Sequence, residues 1–176
     1  MKNQVDQKWL EGVTVVALGC SLAGPYPSRE ALLRAAIEAL GARGLKVLSR
    51  SSWWASAAWP DPGSPAYLNG VVLVETPLPA GEILTRLHRI ETEFGRVRTE
   101  ANAPRTLDLD LIAHGRLVTD AGLVLPHPRA HQRLFVMGPL AEIAPAWRHP
   151  VSGETSADLA AAATVGRDAA PHIAKL

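Results

Sequence analysis

Leucine and aspartate alternate in the segment 104–112, whose sequence is PRTLDLDLI. A period of two is typical of a β-strand, because side chains two residues apart point to the same face of a sheet. The pattern therefore predicts that Asp108 and Asp110 stand side by side, about 6 to 7 Å apart at the backbone, given the rise of a strand. The leucines face the opposite way, into a core. A fold that contains this strand has to cover one of its faces and leave the acidic face accessible.

Two carboxylates at this spacing repel each other, unless a cation between them turns the repulsion into ligation. Mg²⁺ suits such a pair, and Arg105, a few residues upstream, adds a cationic group that can clamp a phosphate. The segment is therefore interpreted as a site for a metal ion and a phosphate group. The alternative is a strand with one solvated acidic face, and the nine residues alone leave the choice open.

Composition favours a single domain that binds a small ligand. With 176 residues, the chain is long enough to bury a core without disulfides or a structural metal. A formal net charge of +1 and the lack of a long basic run argue against a nucleic-acid binder. Cys20 is the only cysteine, which argues against a disulfide framework or a thiolate zinc cluster and favours a reducing cytosol.

The chain is expected to be a cytoplasmic monomer. No membrane partner is expected, because no apolar run approaches the roughly 18 residues that cross a bilayer. Its polar start has no apolar core of a signal peptide and predicts a flexible N-terminal extension over residues 1–12. The main domain is predicted over residues 13–150. Residues 151–176 are predicted to form a C-terminal tail that packs on this domain or trails from it.

Hydrophobic patterns predict a mixed sheet-and-helix domain. The predicted strands cover residues 13–19, 45–54, 67–75 and the segment of Asp108 and Asp110. The predicted helices follow the N-cap Ser28 as far as Gly41 and follow Pro79 as far as Phe94. The order β-α-β-β-α-β is the split β-α-β arrangement of ferredoxin-like folds, an α+β class with a four-stranded antiparallel sheet and both helices on one face. A short extra strand at 123–125, a third helix at 132–143 and a short alanine-rich C-terminal helix around 157–163 complete the prediction.

Basic side chains flank the acidic pair along the chain. They are Arg96, Arg98 and Arg105 on an arm before the strand, and His127, Arg129, His131 and Arg133 after it. A metal-bound polyphosphate carries more negative charge than two Mg²⁺ ions neutralise, so it needs guanidinium groups from both sides. Any single arginine is better explained as solvated surface, but the set around one acidic pair favours a phosphate site.

His88 and Glu91 lie three residues apart on the second predicted helix, so they share a face near its C-terminal end. From this face the two side chains can contact a nucleotide. An intrahelical pair between them is at least as good an explanation. A zinc site is a poor one, because no second His or Cys supplies the usual ligand spacing.

Tyr67 and Asn69 share a face of the third predicted strand, next to a loop that carries three tryptophans, one of them Trp59. An aromatic heterocycle can stack on the tyrosine and bind the amide of the asparagine, and each stacked pair contributes about 0.5 to 1.5 kcal/mol. The residues alone favour the alternative, in which the tyrosine and the tryptophans pack the edge of the sheet.

Several motifs together resemble one enzyme family. They are GRVR at 95–98, PRTLDLD at 104–110 and LPHP at 125–128, with Arg133, Phe135 and Pro139-Leu140 following and YLN at 67–69 preceding. Over residues 13–150, in unbroken order, the chain resembles the 6-hydroxymethyl-7,8-dihydropterin pyrophosphokinases, folate-pathway enzymes that use ATP. The resemblance implies that the terminal diphosphate of ATP passes as a unit to the hydroxymethyl oxygen of the pterin, which attacks the β-phosphorus in line, and that AMP leaves.

The resemblance also implies roles for individual residues. Asp108 and Asp110 bind two Mg²⁺ ions that bridge the phosphates of ATP, the co-substrate, while Arg96 and Arg105 hold the triphosphate. The other implied nucleotide contacts are His88, Glu91, Arg98, His127, Arg133 and Leu111, whose backbone lies by the adenine. The implied pterin contacts are Tyr67 and Phe135, which sandwich the ring, Asn69, which binds its edge, and the loop residues Ser56, Ala57 and Trp59.

The chain departs from the family pattern at two places that bear on activity. The usual Gly-Ser-Asn-Leu after the first strand is replaced by the sequence GCSL at 19–22, and the arm segment 99–103 lacks the usual tryptophan. These departures motivate a second hypothesis, a catalytically silent relative that binds pterin or nucleotide. A third and weaker hypothesis is a metal-dependent phosphohydrolase on the same scaffold, since a fold does not determine a function.

Overall fold

The computed structural model of the chain describes residues 3–58, 63–96 and 106–173. Three residues of the predicted site, Trp59, Arg98 and Arg105, lie outside the described residues, as does most of the predicted arm.

The described residues form both helices and strands. The helices are α1 Asn3–Gly12, α2 Arg29–Ala42, α3 Ala80–Glu93, α4 Leu134–Ile143 and α5 Ser156–Ala162. The strands are β1 Thr14–Cys20, β2 Lys46–Arg50, β3 Trp54–Ser56, β4 Tyr67–Glu75, β5 Asp108–His114 and β6 Ala170–Pro171. One turn of 3-10 helix, Ala130–Gln132, precedes α4. Among the described residues, no helix combines the length and the apolar character needed to cross a membrane.

The strands form one antiparallel sheet in the order β5-β1-β4-β3-β6, and β2 also pairs with β4. The predicted α+β class and split β-α-β arrangement are confirmed. The sheet has six strands instead of the predicted four, because the predicted strand 45–54 divides into β2 and β3 and because the tail adds β6. The extra strand predicted at 123–125 is wrong in extent, since Leu125 forms only an isolated bridge with Thr119.

The two faces of the sheet bury separate hydrophobic clusters. As predicted, α2 and α3 pack on one face, and the cluster there includes Leu33, Leu87, Leu109 and Leu111. Helices α4 and α5 cover the other face, where the cluster includes Ile112, Leu140, Trp147 and Leu159. The sheet is therefore shielded on both sides except where the ends of β1 and β5 open between the two layers.

The two terminal segments carry more structure than the sequence predicted. Residues predicted as a flexible extension form α1, and its Leu10 packs, partly buried, against the second cluster. The predicted alanine-rich helix corresponds to α5, whose N-cap Thr155 accepts a hydrogen bond from the amide of Asp158. The predicted third helix is present as α4 in spite of the proline inside it.

Helix α4 approaches β3 closely at Gly138, where the ring of Trp54 occupies the space that a side chain on residue 138 would need. A Cβ atom on Gly138 would lie 2.6 Å from the ring of Trp54. The indole cannot retreat freely, since its Nε1 donates a hydrogen bond of 2.9 Å to Glu142 on the same helix. Glu142 also accepts hydrogen bonds from the amide and the hydroxyl of Ser52, each at 2.7 Å. These contacts fix α4 to the loop that connects β2 and β3.

We expect Gly138→Ala to destabilise the protein by about 1 to 3 kcal/mol, although alanine is the better helix former, because the methyl group overpacks this contact. Gly81→Ala in α3 is the matched control. A Cβ atom there meets nothing within 4 Å, so that change should stabilise by up to about 1 kcal/mol. Urea unfolding of both variants measures the difference, and equal free energies of unfolding would contradict this packing.

Candidate functional site

A cavity of about 500 Å³ opens where the ends of β1, β4 and β5 meet α3 and α4. Most of the described residues that the sequence predicted for the site line it: Ser56, Ala57, Tyr67, Asn69, His88, Glu91, Arg96, Asp108, Asp110, His127, Arg133 and Phe135. Residues from five separate stretches of the chain thus meet around one space. Leu111 is the exception among the described residues. Its side chain is buried in the first hydrophobic cluster and does not line the cavity, and the nucleotide contact implied for its backbone stays a prediction.

The acidic pair lies on β5, at the wall next to β1. Asp108 pairs in register with Gly19, and Asp110 pairs with Ala17. Burial and then the negative charge of Asp108 raise the pKa of Asp110 to about 6, while Arg133 and Arg96 act in the opposite direction. Because the negative charge of Asp110 is destabilised by burial and by its neighbour, the site favours additional positive charge.

These residues fit Mg²⁺ bound together with a phosphorylated ligand. Among the described residues, no group of three His, Cys, Asp or Glu side chains is arranged to hold a metal ion. An ion at Asp108 and Asp110 therefore needs oxygen ligands from elsewhere. Mg²⁺ in nucleotide enzymes is typically held in this way, by one or two carboxylates, substrate phosphates and water.

Arg96 and Glu91 form a buried ion pair beside the aspartates. Glu91 is 2% exposed, near the end of α3, and accepts hydrogen bonds from Arg96 Nη1 and, at 2.8 Å, from the amide of Leu109. Arg96 Nη1 also donates to Asp108 Oδ1 at 2.6 Å. Glu91 thereby joins α3 to β5 and directs the guanidinium of Arg96 toward the acidic wall. Its predicted nucleotide contact stays a prediction.

Basic residues that follow β5 in the chain lie on the other side of the two aspartates from Arg96. Arg133 precedes α4, and its guanidinium lies 5.7 Å from the centre of the Phe135 ring. Burial lowers the pKa of Arg133, whereas Asp110 raises it. His127 Nδ1 accepts a hydrogen bond of 3.2 Å from the amide of Arg129. His131 lies elsewhere, with its ring 5.6 Å from that of His149, so the predicted basic set is only partly brought together.

His127 is a neutral imidazole at pH 7, because burial, followed by the charges of Arg133 and Arg129, lowers its pKa from 6.5 to about 4. Between these pH values the unfolded chain takes up a proton that the folded protein does not bind. We therefore expect the free energy of unfolding to fall as the pH decreases from 6.5 to 4. His127→Gln should reduce this slope. Urea unfolding at pH 7 and pH 5 measures it, and an NMR titration of His127 with a midpoint near 6.5 would contradict the expectation.

The far end of the cavity combines aromatic rings with an ordered amide. Asn69 is 7% exposed, and its Nδ2 donates hydrogen bonds to Ser56 Oγ at 2.9 Å and to the carbonyl of Trp54 at 3.3 Å. A Cβ atom on Gly19 would lie 3.2 Å from Asn69 Oδ1, so a glycine there lets β1 approach this amide. Tyr67 and Phe135 line the same end. This wall suits a flat, polar ring.

Trp53 and Trp54 pack against the fold, as the alternative that the residues alone favoured had it for the tryptophans, while Trp59 lies outside the described residues. Trp53 covers Gly70 on β4, and Trp54 covers Gly138 on α4. Neither lines the cavity within the described part of the chain.

The cavity also includes residues that the site prediction missed, among them Ser21, Ser64, Leu84 and Arg129. Leu84 lies four residues before His88, so helical spacing places both on one face and could have indicated it. Arg129 belongs to the basic set noted in the sequence. No signal distinguished Ser64 from the rest of its Pro- and Gly-rich loop.

The fold and the cavity define a class of protein: an α+β domain whose cavity combines an acidic and cationic wall with an aromatic wall. Residues 15–145 match the family described as 7,8-dihydro-6-hydroxymethylpterin-pyrophosphokinase. The chain therefore belongs to this family.

Individual relatives agree with the family. A 2-amino-4-hydroxy-6-hydroxymethyldihydropteridine pyrophosphokinase of Synechocystis is 44% identical over 142 residues, which are 80% of this chain and 71% of the relative. The protein of the same name from Haemophilus influenzae is 36% identical over 130 residues, which are 73% of this chain and 79% of the relative. The solved structure of Plasmodium falciparum HPPK-DHPS with pteroate has a TM-score of 0.66 at 12% identity and covers 85% of this chain and 42% of that chain. This last likeness shows a shared fold alone.

Proposed function

We propose that the protein is an active pyrophosphokinase that transfers diphosphate from ATP to the hydroxymethyl group of 6-hydroxymethyl-7,8-dihydropterin and releases AMP, as a step of folate biosynthesis. The observation that carries this proposal is the cavity itself, in which an acidic and cationic wall faces an aromatic wall with an ordered amide. Each wall suits one of the two substrates. The enzyme acts in the cytoplasm as a monomer on these small molecules.

The acidic wall binds the nucleotide. Asp108 and Asp110 would hold two Mg²⁺ ions, which would neutralise phosphate charge and so favour attack at phosphorus. Arg96, held in place by Glu91, contacts the phosphates from the α3 side, and Arg133 and the neutral His127 contact the nucleotide from the α4 side. Arg105 and Arg98 add positive charge from the arm, and His88 lies on the exposed face of α3 that borders the cavity.

The aromatic wall binds the pterin. Tyr67 and Phe135 hold the two faces of the ring, and Asn69 binds its polar edge together with the loop of Ser56, Ala57 and Trp59. The side chain of Asn69 is already ordered by Ser56, so little conformational entropy is lost when the ring binds.

Group transfer in this site depends on positioning and on charge. The pterin hydroxymethyl oxygen attacks the β-phosphorus, the bond from that phosphorus to the α-phosphate oxygen breaks, and AMP leaves with the electron pair of that bond. Arginines directed at the phosphates stabilise the charge that is redistributed in this step. Residues on the two walls align the attacking oxygen with the phosphorus, which removes most of the entropic cost of bringing the substrates together.

AMP formation from ATP and the hydroxymethyl pterin, measured with purified protein and excess Mg²⁺, tests the proposal. We expect AMP to appear in equal amount to the diphosphorylated pterin. A folded protein that forms no AMP would reject the proposal. Phosphate release from ATP without the pterin would instead indicate a phosphohydrolase.

The second candidate is a silent binding relative, and it rests on the unusual GCSL turn and the arm without tryptophan. At the turn, Cys20 is fully buried, and burial raises the pKa of its thiol to about 12. The cysteine thus contributes to the core and not to the cavity, whereas Ser21 of the same turn lines the cavity. Pterin or nucleotide binding by calorimetry without turnover would favour the silent relative.

A further inference from the structure

We propose that the C-terminal segment 164–172 is part of the pterin site and that Asp168 is a positioning residue for the loop that binds the pterin. This inference rests on the proposed function, because it concerns the pterin end of the same cavity. The segment lies beyond the residues matched by the family model, which end at 145.

The segment first contacts the start of α4. This helix carries Phe135, one of the two aromatic side chains proposed to hold the pterin. The amides of Thr164 and Val165 donate to the carbonyl of Gln132 at 3.1 and 2.9 Å, and the amide of Leu134 donates to the carbonyl of Val165 at 2.9 Å. Directly after this contact, Gly166 has a φ of +65° and lies against the ring of Phe135, where a Cβ atom would clash. The backbone at Gly166 thus forms the support behind Phe135.

The same segment then pairs with β3, which leads into the loop of Ala57 on the other side of the proposed pterin site. Strand β6 adds to β3, with Ala170 opposite Ala55 and Pro171 opposite Trp54. At the end of this pairing, the amide of His172 donates to the carbonyl of Trp53 at 2.7 Å. One stretch of nine residues therefore contacts both walls between which the pterin ring is held.

Asp168 makes the contact that is closest to the cavity. Its Oδ2 accepts a hydrogen bond of 2.5 Å from the backbone amide of Ala57, and Ala57 lines the cavity next to Ser56. The β3 ladder ends at Ser56, so the amide of Ala57 lies just beyond the strand. A carboxylate is a strong acceptor for such an amide, because charge-assisted hydrogen bonds are about twice as strong as neutral ones.

This arrangement assigns the segment to pterin binding and not to nucleotide binding. Its contacts around the cavity fall on the aromatic wall, at Phe135 and the loop of Ala57, apart from a backbone bridge between Val165 and Arg133, and the side chain of Asp168 contacts the loop of Ala57. Its neighbours within the described residues do not include the Asp108 and Asp110 wall. Loss of the Asp168 contact should therefore weaken the pterin complex and leave the ATP complex unchanged, because only the wall that meets the pterin becomes less ordered.

Binding and kinetics of Asp168→Ala test the inference in the full-length protein. We expect the KM and the calorimetric Kd of the hydroxymethyl pterin, the latter measured with a non-hydrolysable ATP analogue and Mg²⁺, to rise about three- to tenfold, as expected for the loss of one such hydrogen bond. The KM of ATP should stay within about twofold, since its wall is untouched. Amide exchange at Ala57 should become faster.

Two further variants separate positioning from general loss of structure. Asp168→Asn keeps a neutral acceptor oxygen for Ala57 and should return the KM of the pterin to within about twofold of wild type. Asp158→Ala is the matched control, because the carboxylate of this exposed aspartate bonds Thr155 on α5 and not a residue of the cavity, and it should leave both KM values unchanged.

Three results would overturn the inference: an unchanged pterin Kd in Asp168→Ala, an equal rise in the constants of both substrates, or a lower pterin Kd, which would mean that the carboxylate competes with the pterin for the amide. Failure of the proposed function is distinguished by the wild-type protein. If that protein binds the pterin but forms no AMP, the activity is rejected while the pterin Kd of the variants still tests the role of Asp168.

Discussion

Asp110→Asn is expected to lower the rate of AMP formation by more than about 100-fold. Mutation of a residue that only supports a metal ligand typically lowers metal affinity or activity by about 10- to 100-fold, and Asp110 would be a ligand itself. The fold should persist. Burial and the charge of Asp108 already destabilise the ionised form of Asp110 and raise its pKa, so a neutral amide of the same shape removes a repulsion. Turnover at saturating substrates, together with Mg²⁺ titration, measures the effect.

Asp120→Asn is the matched control. Asp120 is an exposed aspartate in the loop after β5 and does not line the cavity, so turnover should remain at the wild-type level. An Asp110→Asn protein that retains turnover within tenfold of wild type would contradict the assignment of the metal site.

Glu91→Ala is expected to destabilise the protein by about 3 to 5 kcal/mol, the usual effect of removing one member of a buried ion pair. The change leaves Arg96 buried with less negative charge around it and leaves the amide of Leu109 without the acceptor that it uses in β5. Turnover should also fall, because Arg96 is no longer held toward the phosphates. Urea unfolding measures the first effect and AMP formation the second.

The same helix provides a matched comparison. Glu93, two residues further along, also pairs with an arginine, Arg43, but its side chain is 52% exposed. Glu93→Ala should therefore cost less than about 1 kcal/mol, as exposed ion pairs do, and should leave turnover unchanged. Similar losses of stability in the two variants would show that the burial of Glu91 does not matter.

The arrangement of the acidic wall could be predicted because it is encoded locally. The two-residue period of leucine and aspartate determines which side chains of β5 share a face. The structure places Asp108 and Asp110 on the cavity side, while Leu109 and Leu111 enter the core. Resemblance to a family then brought distant residues such as Tyr67 and Phe135 to the same site. For these residues, spacing alone favoured ordinary packing.

Supporting contacts could not be predicted, because they join residues far apart in the chain. Ser52 and Glu142 are separated by 90 positions, and Ala57 and Asp168 by 111. A single polar residue carries no periodic signal that indicates such a partner. Strand β6 is two residues long and contains a proline, so neither alternation nor β-propensity could reveal it.

The seclusion of Cys20 has a consequence for reactions with electrophiles. Thiol reagents attack the thiolate, and this sulfur is shielded from solvent in the folded protein and is the only one that a cysteine contributes to the chain. Alkylation therefore requires an opening of the end of β1, so its rate reports how often the central sheet comes apart. The Cys20 thiol can therefore serve as an intrinsic probe of this opening.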